Sequence, residues 1–417
     1  MFSTTHVKVL IIGAGPAGCG TSFFLSKTGI AHTILEKATF PRDKVCGDAI
    51  SGKSCYVLRT AHAPWLHEIF READQFLPSR GIQFVAPNGK ALDIRYPDAL
   101  RPGEVAPGFT VPRLRFDDFL FSKLDPQFAD VQQGVSIKSV SREGGVNQVV
   151  YQQEGVEKTI TADIIVGADG DKSAVRKAFM GQNEVRKTDS VGLRAYYTGV
   201  TGMHKSDFIE LHFIKEALPG YLWVFPLPEG RCNVGIGMLS ARVRDKKLNL
   251  REVFQNALQN NPALKKRFQN AQLEGKILGW GLPMATTQEP VSGDGFLLTG
   301  DAAALIDAFS GEGVGNALYS GMLAAGAIEK ALAVGRTDAA FLKTEYDAVL
   351  YRRLGDEIRI SATLQKLCNY PWLFNFVVNK AEKSPELRDT ISGMFSDLDL
   401  RDKLRKPSFY FNILFNR

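Results

Sequence analysis

The apolar period of the chain changes twice within its first forty residues. Residues 7–13 (VKVLIIG) form a continuous apolar run that ends in glycine, the pattern of a strand buried on both faces. Residues 17–29 follow with a helical spacing that Gly29 stops, and residues 32–37 (HTILEK) return to strand. This opening predicts a βαβ unit. A long irregular stretch comes next, and helical periodicity reappears over 113–124 (RLRFDDFLFSKL). Short strands are predicted over 131–166, closing in the apolar DIIVGADG. From about 185 to 280 the pattern alternates in VGLRAYYTGV, DFIELHFI, YLWVFPL and CNVGIGML, which predicts an antiparallel sheet in a separate layer. GFLLTGDAAALI then reads as strand followed by helix. A long helix rich in glycine and alanine comes after it, and the pattern stays helical beyond Thr337.

The fold class expected is α/β: a discontinuous Rossmann-type nucleotide-binding domain with an inserted antiparallel β-sheet domain and a helical C-terminal region. The boundaries read from the pattern assign 1–95, 110–182 and 282–335 to the nucleotide-binding domain. They assign 96–109 and 183–281 to the sheet domain, and 336–417 to the helical region.

Bulk properties exclude more than they identify. The 417 residues are 44% hydrophobic and 23% charged, an ordinary globular composition, and the formal net charge of +6 is mild for this length. It suits a basic surface, an anionic cofactor or an anionic membrane, and gives no reason to expect nucleic acid. Five scattered cysteines argue against a disulfide scaffold or a zinc site, and fit reduced thiols in a cytoplasmic compartment. No run approaches the ~18 apolar residues of a bilayer span, so any membrane contact is expected to be peripheral. The six histidines show no HxH or HExxH spacing, and no metal is assigned.

The sequence GAGPAG places Gly13, Gly15 and Gly18 in a G-x-G-x-x-G motif between the first strand and the first helix, the context that motif requires. Gly13 permits the turn, Gly15 lets a pyrophosphate approach the backbone, and Gly18 lets helix pack on strand. Pro16 and Ala17 begin the helix, whose free N–H groups face the phosphates. Glu36, with Lys37 after it, closes the next strand in position to meet ribose hydroxyls. Two later segments bear on which dinucleotide is held. GADGDKSAVR follows an apolar strand with Asp169 at its turn. GFLLTGDAAALIDAFSGEGVGNAL carries Asp301 at a strand end, suited to a ribityl hydroxyl. In it the Gly311–Gly315 N–H groups, around Gly313 and Val314, are suited to the N1–O2 edge of a flavin. Each segment alone is equally a structural turn. Together and in order they resemble the glutathione-reductase-like class of FAD enzymes, from about Val7 to Gly335.

Within that class the chain resembles the geranylgeranyl reductase family. Four pieces carry the resemblance: FPRDKVCGDAIS, RLRFDDFL, YLWVFPLPEGRCNVGIGM and GDAAALIDAFSGEGVGNALYSG. The resemblance implies that Cys46 and Gly47 lie near the flavin ring and that Arg113 contacts the cofactor. It implies that the backbone at Val135 meets the adenine, and that Tyr221, Trp223 and Phe225 wall the substrate. Two positions depart from the family: Ala304 stands where it usually has glycine, and Ala308 where it usually has proline. Cys46 is expected at the flavin, either donating a proton to a substrate carbon or lining the pocket. The catalytic candidates are Cys46, Tyr221 and Trp223.

The activity implied is FAD-dependent reduction of C=C bonds in a geranylgeranyl or other isoprenoid chain. No second glycine motif occurs, so NAD(P)H or another reduced carrier is expected to visit transiently. An FAD monooxygenase or halogenase acting on an aromatic or polyketide-like compound shares this frame and is the alternative. A flavin electron carrier is the third reading. KLRKPSFYFNILFNR at 403–417 mixes bases with aromatics, as a packed tail or as an interfacial anchor.

Overall fold

Parallel pairing is written into the first strand. In β1 (Thr5–Ile12) the residues Val9 to Ile12 are all buried, as a central strand covered on both faces requires. Helix α1 (Pro16–Lys27) starts with proline, whose missing N–H is harmless in a first turn, and β2 (His32–Leu35) is fully buried. Residues 5–71, 74–95, 108–181 and 189–385 are described in this computed structural model.

After β2 the chain runs through the cysteine loop into α2 (Gly52–His62). A hairpin follows, β3 (Gly81–Val85) and β4 (Ala91–Arg95), then α3 (Arg113–Ser122) and β5 (Ala129–Gln132). Strands β6 (Ser136–Glu143) and β7 (Val146–Gln153) form a meander with the start of β8 (Val156–Gly167). The far end of β8 pairs in parallel with β1, Val9 opposite Ile164, and α4 (Ala174–Met180) follows it. Then come β9 (Ser190–Thr198), β10 (Ile209–His212), β11 (Tyr221–Pro226), β12 (Arg231–Leu239) and β13 (Gln272–Leu282). The chain returns through β14 (Phe296–Leu298) to α5 (Val314–Val334), α6 (Ala348–Leu367) and α7 (Pro371–Lys383).

In the first sheet β14-β8-β1-β2-β5 run parallel, and Ser292–Gly293 pairs antiparallel at the edge beyond β14. The second runs β13-β9-β12-β11-β10-β3-β4 and is antiparallel except where β10 lies parallel to β3. Strands β3 and β4 therefore correct the expected boundary at residue 95. They join the second sheet because β10 has a free edge and because Ile82, Phe84, Leu92 and Ile94 bury with Leu211 and Phe213. Residues 108 and 109, also expected in the second sheet, instead join Thr110 in a strand against Ala49–Ile50 and Leu77–Ser79. Residues 96–107, and the 403–417 segment with its suggested anchor, lie outside the described residues.

Helix α5 meets the length and composition of a bilayer span, unlike the expectation that no stretch would. It packs inside the body instead. A β-carbon on Gly20 of α1 would lie 2.9 Å from the Leu318 carbonyl oxygen, and one on Gly321 would lie 2.5 Å from that of Ala17. Small residues thus bring α1 and α5 to backbone contact above the ends of β1 and β8.

Candidate functional site

The ends of β1, β2 and β8 open into a cavity of about 1530 Å³ that reaches the face of β11. A single small-molecule site occupies roughly 300–1,000 Å³, so this space holds more than one ligand. Gly13, Gly15, Pro16, Ala17, Glu36, Lys37 and Val135 line one arm. Gly13 takes a φ of 101°, and a β-carbon there would sit 2.4 Å from the Ala168 carbonyl oxygen. Gly18 does not line the cavity. Its missing side chain lets α1 seat on the turn, because a β-carbon would meet the Gly13 oxygen at 1.9 Å. Helix α1 has no side-chain cap, so its first N–H groups remain available to an anion.

Glu36 is tied to the turn rather than projecting freely. Its Oε2 accepts from the Ala14 N–H at 2.6 Å and its Oε1 from the Ala38 N–H at 2.7 Å. Val135 lines the cavity, but its own N–H is committed to the Glu36 carbonyl at 2.9 Å. Asp169 caps α4, with Oδ2 accepting from the Ala174 N–H at 2.6 Å. Its Oδ1 is buried without a hydrogen-bond partner among the described residues, and burial pushes its carboxyl above the usual range. An orphaned acceptor beside an uncapped helix start fits a ligand that brings hydroxyls and phosphates.

The turn before α5 is more constrained than the sequence suggests. Asp301, Gly311, Gly313 and Val314 all line the cavity. Three of the five N–H groups expected to face the ligand are already taken, that of Glu312 by Ser310 Oγ at 3.3 Å. The Gly311 N–H bonds the Asp307 carbonyl at 3.0 Å, and the Gly315 N–H bonds the Glu312 carboxylate. Those of Gly313 and Val314 remain without a partner among the described residues. The Asp307 carboxylate accepts from the Phe309 and Ser310 N–H groups, and Gln365 of α6 donates to the Ala308 carbonyl at 2.8 Å. Ala304 adopts a left-handed φ of 55°, a conformation that favours glycine.

The cysteine loop and the aromatic strand meet at Gly47. A β-carbon there would stand 2.9 Å from Phe225 Cε2 and 3.5 Å from Trp223 Nε1. Tyr221, Trp223 and Phe225 face the cavity together, and Ile82, Ile209, Leu211 and Cys46 line it with them. Both polar tips are committed. The Tyr221 hydroxyl donates to the Ser310 carbonyl at 2.5 Å, and Trp223 Nε1 donates to Asn233 Oδ1 at 2.8 Å. Burial, with Asp307, Glu312 and Cys46, pushes the Tyr221 hydroxyl well up. Trp223 and Tyr221 thus stand in the cavity wall with fixed orientation.

Arg113 is 6% exposed and grips Asp117 with two N–H donors, at 2.5 and 2.8 Å. Arg42 adds a third at 2.6 Å. Burial would raise the Asp117 carboxyl, but Arg113 and Arg42 hold it below the usual range. Burial likewise opposes the charge on Arg113, and Asp117 and Cys46 outweigh it and raise its pKa.

Sequence reasoning missed Asp48 and Asn233. Asp48 has a φ of 65° and is fully buried. Its Oδ2 accepts from the Tyr196 hydroxyl and from Asn233 Nδ2, both at 2.8 Å, and its Oδ1 accepts from the Arg113 N–H at 3.2 Å. Burial pushes its pKa up to about 6, against the lowering effect of Asn233, Tyr196 and Arg194. Asn233 also donates to the Cys46 carbonyl at 2.7 Å. The one signal was local: an acid directly after Cys-Gly in an irregular loop.

Over residues 6–344 the chain matches the FAD binding domain family. It is 29% identical over 329 residues to a menaquinone reductase from Mycolicibacterium smegmatis, covering 77% of this chain and 76% of that one. It is 27% identical over 401 residues to a digeranylgeranylglycerophospholipid reductase from Methanosarcina acetivorans, covering 95% and 91%. Two solved structures share the fold. A geranylgeranyl bacteriochlorophyll reductase-like protein from Thermoplasma acidophilum matches with a TM-score of 0.80 at 21% identity, covering 97% of this chain and 99% of that one. A flavin-dependent brominase matches with 0.74 at 20% identity, covering 98% and 99%. The uncapped glycine turn, the unpartnered Asp169 Oδ1 and the family match agree: this chain belongs to the FAD binding domain family and is an FAD-dependent oxidoreductase.

Proposed function

We propose that the protein saturates C=C bonds of an isoprenoid chain carried by a lipid or a prenyl phosphate. The observation that carries this reading is the apolar wall of Tyr221, Trp223, Phe225, Ile82, Ile209 and Leu211, which shares one cavity with Cys46. A hydrocarbon fits that wall, because neither of its polar tips is free to bond a ligand. Relatives named for digeranylgeranylglycerophospholipid and menaquinone support a lipid class.

FAD fits the arm lined by Gly13, Gly15, Pro16, Ala17, Glu36, Lys37 and Val135, with Asp169, Asp301, Gly311, Gly313 and Val314 along its length. When bound and reduced, it would supply a hydride to one carbon of the double bond. The neighbouring carbon needs a proton, and Cys46 Sγ is the group in this chain suited to give it. The guanidinium of Arg113 beside Cys46 stabilises the thiolate left behind. Asn233 and Asp48 hold the Cys46–Gly47 backbone, and the aromatic wall excludes water. Electrons arrive from NAD(P)H or another reduced carrier. We place the protein in the cytoplasm, with peripheral membrane contact to reach its substrate.

The test is anaerobic. The FAD-loaded protein is reduced with dithionite and mixed with geranylgeranyl compounds, and the visible flavin absorbance is followed. Return of the oxidised spectrum with a saturated product supports the reading. Flavin that stays reduced with every prenyl compound refutes it, and product formation that needs oxygen would instead favour the halogenase or monooxygenase reading.

A further inference from the structure

The cavity has a third arm that neither the cofactor nor the apolar wall uses. Tyr56 and Arg59 lie three residues apart on one face of α2, Tyr319 stands on α5, and Arg353 on α6. All four line the same cavity. The Tyr56 and Tyr319 rings approach to 6.4 Å between centroids. Tyr56 is 47% exposed and Tyr319 only 9%, so the arm runs from solvent inward. Burial raises the Tyr319 hydroxyl, and the charge of Arg353 opposes that rise.

The neighbouring lysine is neutralised and the arginines are not. Lys53 Nζ lies 2.9 and 3.0 Å from the two Glu357 oxygens and 2.5 Å from Asn316 Oδ1. Arg59 and Arg353 form no ion pair among the described residues. The Glu312 carboxylate, also in the cavity lining, is turned back onto the Gly315 N–H. Two guanidinium forks and two phenol donors thus remain at one opening, a donor set that matches phosphate oxygens.

We propose that this opening, formed by Tyr56, Arg59, Tyr319 and Arg353, binds the phosphate or diphosphate at the head of the substrate while its chain enters the apolar arm. The inference rests on the prenyl-reductase reading for the chain, and on the four residues alone for the anion. It predicts a phosphate-bearing prenyl substrate in preference to a quinone.

The experiment has two arms, both on FAD-loaded protein so that the cofactor's own phosphate site is filled. In the first, inorganic pyrophosphate is titrated calorimetrically into wild type and into R59Q/R353Q. Wild type binds, and the double variant binds at least about tenfold more weakly. R353K, which keeps the charge but loses the fork, falls between them. Equal binding by wild type and double variant overturns the subsite, as does no binding by either. In the second arm, KM is measured for geranylgeranyl diphosphate and for geranylgeraniol. The double variant raises KM for the diphosphate alone and leaves kcat unchanged, as loss of uniform binding requires. Equal effects on both substrates overturn the subsite even if the chain is reduced. Pyrophosphate binding that depends on the arginines, with no prenyl compound reduced, keeps the anion site and refutes its assignment to a prenyl substrate.

Discussion

Replacing Asn233 with alanine removes the side chain that joins the cysteine loop, the buried acid and the aromatic wall. The amide makes three hydrogen bonds of 2.7 to 2.8 Å, to the Cys46 carbonyl, Asp48 Oδ2 and Trp223 Nε1, and is fully buried. Each partner is itself held inside the protein. An unmet buried polar group costs about 1–3 kcal/mol, more beside a charge, and effects within one network do not add fully. N233A is therefore expected to lose about 3–5 kcal/mol of stability. Urea unfolding midpoints of the FAD-loaded protein, compared with wild type, give that number. FAD content should stay near wild type, because the Gly13–Gly18 arm does not touch Asn233, while kcat falls as the Cys46 backbone loses its donor. A stability loss below about 1 kcal/mol, with kcat unchanged, would show that the three partners do not depend on this amide.

Three further outcomes are expected. Replacing Cys46 with alanine should lower kcat by about a hundredfold or more in the prenyl-reduction assay with FAD binding intact, and a loss under about threefold removes Cys46 as proton donor. Asp48 ionises near 3.8 when unfolded and at about 6 when folded, so the native state holds the proton more tightly across that window. Stability should then fall by about 3 kcal/mol as pH rises from about 4 to 6 and level off above, a slope that D48N abolishes in urea unfolding followed against pH. Identical slopes in the two proteins refute the assignment. A304G relieves a left-handed alanine and should raise the melting temperature by the equivalent of about 0.5–1 kcal/mol, whereas a lowered one means that the β-carbon packs favourably.

The parts of this fold that were legible are those whose signal is local. The run VLII, the glycines at 13 and 18, and the alternation of Tyr221, Trp223 and Phe225 each identify an element from a few neighbours. The hairpin β3–β4 does not. Its residues look like any short strands, and only the free edge of β10, more than a hundred residues later, decides which sheet takes them. The buried network is hidden for the same reason. Asp48 and Asn233 are 185 residues apart, and Lys53 and Glu357 are 304 apart. The N–H groups before α5 were overcounted because Asp307, Ser310 and Glu312 read as polar loop residues, while in space they turn inward and occupy three of the donors.

Strands β3 and β4 make the chain pass between the two sheets more often than a single insertion needs. It leaves the parallel sheet for the hairpin, returns for α3 to α4, leaves again for β9 to β13, and comes back with β14. The cavity lies where those crossings meet, so no continuous fragment carries a whole site. A chimaera that borrows another protein's roof must therefore exchange two separate stretches, the hairpin and the later strands. Trading one alone would leave β10 bordering a foreign neighbour, with Ile82 and Phe84 facing an interface shaped for someone else's side chains.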